Sequence, residues 1–146
     1  MHDPIAIRPE LGAFGLTPQN YAGDLGALAW LSFLNPFMEE CFWRLFVFES
    51  LRHAETTSAT TARWWVPALA TNALYAAYHV PVVMVFLPAP LVACVYAFLV
   101  AFGLQLQLIV RHVGLVLAVS VHFAGDMAVS IIVTDLLWRW GLEGPA

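Results

Sequence analysis

Four apolar stretches, each of about the length a bilayer demands and each separated from the next by helix breakers, limit what this chain can fold into. A spanning helix needs roughly 20 mostly apolar residues. The first stretch runs from Leu25 to Leu51 and is interrupted at Asn35-Pro36, where a missing backbone donor predicts a kink or split. The second runs from Trp64 to Phe86 and opens on a tryptophan pair suited to the membrane interface, with Pro88 and Pro90 behind it. The third covers Leu91 to Val110 and stops at Arg111-His112, and the fourth covers Gly114 to Trp138, with Trp138, Arg139 and Trp140 as an anchor. The expected fold is therefore all-α, a polytopic membrane helix bundle of about four transmembrane helices. Residues 1–24, with Pro4, Pro9 and Pro18, form an N-terminal surface segment in this scheme, 25–140 the transmembrane core and 141–146 a short tail.

Composition excludes several functions. Only 11% of the residues are charged and 61% are apolar, against about 25% charged in soluble domains, so the chain is expected to be an integral membrane protein in contact with lipid. Every basic residue is an arginine, and the net charge of -4 is thinly spread, leaving no basic stripe to track a phosphate backbone; nucleic acid is not an expected partner. The N-terminus lacks the basic and apolar regions of a cleaved signal peptide. Cys41 and Cys94 each sit in an apolar run, which favours packing over disulfide or thiolate chemistry. With the first helix running outside to inside, the loop from Arg52 to Arg63 and the turn at Arg111 are expected to face the cytoplasm.

Against this background the polar residues inside the spans stand out. An ionised side chain at the bilayer centre costs at least about 2.5 kcal/mol, which makes each one a functional candidate. Glu39, Glu40 and Arg44 lie in the first span, His79 in the second, and His122 and Asp126 in the fourth, whereas the third offers only Gln105 and Gln107. Counted from the cytoplasmic end of each span, Glu39 is roughly 12 residues in, His79 roughly 15, and His122 with Asp126 roughly 8 to 12. Their common depth predicts one polar site near mid-membrane.

Spacing refines this site. Glu40 and Arg44 are one turn apart with the acid on the N-terminal side, the favourable order for an ion pair. Glu39 points about 100° away around the helix and so stands apart from that pair. His122 and Asp126 also share a face. Structural roles compete with catalytic ones throughout: Glu40 with Arg44 can tie helices together, and a buried histidine can serve as an interhelical hydrogen bonder. Asn72, Ser120 and Ser130 are expected to make such bonds, the tyrosines and tryptophans to pack or line the interface, and Arg52, His53, Arg63, Arg111 and His112 to be solvated at helix ends.

Three motifs in order now carry a resemblance: EExxxR at Glu39 to Arg44, preceded by "PFM"; an aromatic followed by histidine in "YAAYH", Tyr75 to His79; and "HFAGD", His122 to Asp126. Together they resemble the CPBP family of intramembrane proteases, which holds the CAAX-processing endopeptidases and bacteriocin-processing and self-immunity proteins. The chain departs from the family pattern with Leu45 where glycine commonly follows the arginine and with Asp126 where CAAX-processing members carry asparagine, and against members with further upstream helices it is expected to be a reduced version of the core.

The resemblance implies an intramembrane endopeptidase in which Glu39 is general base on a water also held by His79, Glu40 and Arg44 form an orienting ion pair, and His122 with Asp126 stabilises the oxyanion. An ionised carboxylate only accepts hydrogen bonds, so Asp126 is either protonated or orients a positively charged His122. No cofactor is expected; the alternative is a zinc site of Glu39, His79, His122 and Asp126. The implied partners are a membrane-associated peptide or protein substrate and either a second copy or another membrane protein, in a bacterial or archaeal cell membrane. The competing functions are non-catalytic bacteriocin self-immunity and a small polar-relay or transport subunit.

Overall fold

The computed structural model describes residues 21–56 and 64–143. The expected surface segment before residue 21, Arg8 and Arg63 of the topology argument, and the side chains of Trp138, Arg139 and Trp140 lie outside what is described. All described elements are helical. Helix α1 covers Tyr21–Glu40 and passes into a π-helical segment, Cys41–Val47, and then into α2, Phe48–Thr56. Helix α3 spans Trp65–Phe86, α4 Ala89–His112 and α5 Leu115–Glu143.

Of the kink or split expected at Asn35-Pro36, the split does not occur: α1 continues through Pro36 to Glu40. Proline removes one donor from the ladder without ending it, and the departure from α geometry comes five residues later. There the Phe48 amide donates to the Trp43 carbonyl, an i to i−5 bond that widens the helix. Between α4 and α5 the turn is closed at Gly114, whose φ of +124° is open to glycine and strained for other residues.

The described chain divides into two compact units. One consists of the segment up to Asn35 together with Phe123 onward; in it Ser32 Oγ lies 2.6 Å from Ser130 Oγ and the Phe33 ring meets Phe123 edge-on. The other, Pro36–His122, holds the π segment, α2, α3, α4 and the start of α5. Within it α3 lies against α4, where the Tyr96 hydroxyl donates to the Ala73 carbonyl and Gly103 gives space to Asn72; a methyl group at 103 would overlap the Asn72 amide oxygen.

Polarity is inverted relative to a soluble domain. Glu40, Arg44, Thr71, Asn72, Gln107 and His122 are buried, whereas Trp30, Phe37, Phe46, Phe98, Val116 and Ile131 are exposed. Two helices, Ala89–His112 and Leu115–Ile132, are long and apolar enough to cross a membrane, yet only 22% and 17% of their apolar windows are buried. A soluble core helix would hide those side chains. Lipid is the solvent in which outward apolar faces and inward ionisable groups are both stable.

Candidate active site

Where α1 gives way to the π segment, Glu39 and Glu40 are adjacent in sequence but turn to different partners. Glu40 and Arg44 are fully buried, and the Arg44 Nε donates to Glu40 Oε2 at 3.1 Å. Arg44 Nη1 donates to Asn72 Oδ1 at 2.6 Å, and the Asn72 amide nitrogen in turn donates to the Ala68 carbonyl at 2.7 Å. On its other oxygen Glu40 accepts from His122 Nδ1 at 3.0 Å. One buried chain of charge-assisted bonds thus links α3, the π segment and α5. Removing one partner from such a chain strands a charge in a medium that solvates it poorly.

Glu39 looks the other way. Its Oε2 lies 3.9 Å from His79 Nε2 and 3.7 Å from His122 Nε2. Both imidazoles reach this oxygen with their second nitrogen already engaged. His79 Nδ1 donates to the Tyr75 carbonyl at 2.8 Å, an acceptor only, so its proton sits on Nδ1 and neutral His79 presents a bare Nε2. His122 Nδ1 faces the Glu40 carboxylate, which places a proton on that nitrogen as well. Burial grades across the group: the His122 side chain is 3% exposed, Glu39 9% and His79 25%.

Tyr75 completes the group. It is 1% exposed, its hydroxyl lies 3.4 Å from His122 Nε2, its ring lies 5.0 Å from the Arg44 guanidinium carbon and its edge meets His79. Sequence reasoning took this residue only as the aromatic of a motif; the available signal was its position one turn before His79. Asn72 does make an interhelical bond, but Ser120 does not: its hydroxyl donates to the Val116 carbonyl of its own helix. A serine in a helix can satisfy its hydroxyl on the carbonyl one turn back. Asp126, one turn past His122 on α5, is half-buried and belongs to the other unit. Among the described residues no group of three His, Cys, Asp or Glu side chains has the arrangement of a metal site.

Fold and site together define a class: a helical membrane protein with a carboxylate and two oriented imidazoles facing one another amid apolar helices. The family model described as type II CAAX prenyl endopeptidase, Rce1-like, matches residues 21–128, and the chain belongs to this family of CPBP-type membrane proteases. The match contains all of Glu39, Glu40, Arg44, His79, His122 and Asp126. Comparison with curated proteins and with solved structures gives no match.

Proposed function

We propose that the protein is a glutamate-dependent intramembrane endopeptidase that cleaves membrane-associated peptides or proteins without a metal. The observation that carries this reading is the placement of Glu39 Oε2 within 4 Å of two Nε2 atoms whose rings are each held through Nδ1. Separations of 3.7 and 3.9 Å are too long for direct hydrogen bonds and suit a water between the groups. Glu39 takes a proton from that water while His79 Nε2 holds it, and the hydroxide adds to the scissile carbonyl. His122, charged beside Glu40, donates from Nε2 to the oxyanion. The C–N bond then breaks and the Glu39 proton leaves with the amine. Glu40, Arg44 and Asn72 orient His122, which Asp126 follows one turn further along α5.

The family name refers to prenylated CAAX ends, which makes a lipidated C-terminal peptide the first substrate to offer; a bacteriocin-like peptide in a bacterial or archaeal membrane is the second. Convergence of the groups supports cleavage over a relay, whose members would follow one another along the membrane normal. The test is cleavage of both peptide types, anchored in vesicles, by wild type and Glu39→Gln with and without a chelator. Activity that resists the chelator and disappears in Glu39→Gln is expected. Chelator-sensitive cleavage would replace the water-only mechanism with a metal-assisted one, and an inert wild type that still protects cells from a bacteriocin would replace catalysis with immunity by binding.

A further inference from the structure

A cavity of about 420 Å³ lies among the π segment, α2, α3 and α4 and is lined by Arg44, Arg52, Arg111, Glu49, Trp64 and Gln107 with apolar side chains between them. Its size falls in the range of small-molecule sites. Two of its wall residues carry unsatisfied polar atoms although both are at least nine-tenths buried: Arg44 Nη2 and Gln107 Oε1 have no hydrogen-bond partner. The other two nitrogens of Arg44 donate to Glu40 and Asn72, neither of which lines the cavity, and Nη2 is the one without a partner. Arg111 stacks 4.7 Å from the Trp64 ring centre in the last turn of α4, and Arg52 is paired with Glu49. Three guanidinium groups against one carboxylate make the lining cationic.

We propose that this cavity binds a phosphate group, with Arg44 Nη2 and Arg111 as its donors and the Gln107 side chain rotated so that its amide nitrogen, in place of Oε1, meets the ligand. Guanidinium pairs tetrahedral oxyanions through paired N–H bonds, and a buried donor without a partner is the feature such a ligand would satisfy. The position favours a lipid headgroup over free phosphate. Arg111 closes a helix long enough to span the membrane, and Trp64 sits beside it, the arrangement of an interfacial belt at the level of lipid phosphates. The inference does not rest on the proteolytic reading, because only Arg44 is shared with the group around Glu39.

The test measures thermal melting of the full chain in neutral detergent against dihexanoyl phosphatidylglycerol, inorganic phosphate and dihexanoylglycerol, which lacks the phosphate. Saturable stabilisation by the phospholipid and not by the neutral lipid is expected, with half-saturation weakened about tenfold or more in Arg111→Gln and in Gln107→Glu and largely restored in Arg111→Lys. Circular dichroism of each variant separates lost binding from lost folding. Stabilisation by inorganic phosphate at equal concentration would assign the site to the free anion and still support the cavity as a phosphate site. No saturable shift in wild type, or variants that respond as wild type does, would overturn the proposal.

Discussion

Glu39 and Glu40 differ by one position and by everything that surrounds them. Glu40 is held by two hydrogen bonds from cationic or protonatable groups in a buried chain, and Glu39 faces two Nε2 atoms across gaps of 3.7 and 3.9 Å. The separation of these roles was legible in the sequence, because successive helical residues diverge by about 100° and only one of two neighbours can pair with a residue four places on. The contact between Glu40 and His122 was not. Local spacing specifies which face a side chain occupies, but the register between two helices depends on packing that no i to i+4 rule contains. The same limit hid Tyr75, whose hydroxyl meets His122 across helices. Its loss has a defined consequence: Tyr75→Phe keeps the ring over Arg44 but removes the hydroxyl from His122 Nε2, and kcat on a membrane-anchored peptide is expected to fall about tenfold with little change in melting temperature. A Tyr75→Phe enzyme as fast as wild type would reduce Tyr75 to packing.

At the scale of elements, helix positions followed from the apolar stretches closely: expected spans ending at Phe86 and near Arg111 correspond to α3 and α4. What the pattern did not contain was the π segment after Glu40, since an i to i−5 bond leaves no compositional mark. Nor did it contain the reason for Gly103, which allows α4 to approach Asn72. Gly103→Ala is expected to destabilise by about 1 to 3 kcal/mol by forcing Asn72 off Arg44. Added to Asn72→Ala, the same substitution should cost much less, because the amide it strikes is gone, and a double-mutant cycle on melting free energies reads that coupling. Additive effects would mean that Gly103 acts through some other contact.

For the whole molecule the decisive property is the inversion of polarity, with ionisable groups inside and large apolar side chains outside. Cys94, exposed on the membrane-spanning helix α4, reports on it. In intact vesicles Cys94 should resist a membrane-impermeant maleimide and react once detergent replaces lipid; rapid labelling in vesicles would show that this face meets water. In the proposed mechanism the two adjacent glutamates divide the labour, and the most direct measurement compares kcat and melting temperature for Glu39→Gln and Glu40→Gln in the same vesicles. Glu39→Gln is expected to lose about 10² to 10⁴ in kcat while melting near wild type. Glu40→Gln is expected to lose about 3 to 5 kcal/mol of stability by leaving Arg44 without its carboxylate. An active Glu39→Gln enzyme, or equal losses of stability in both variants, would contradict the assignment of chemistry to one carboxylate and architecture to the other.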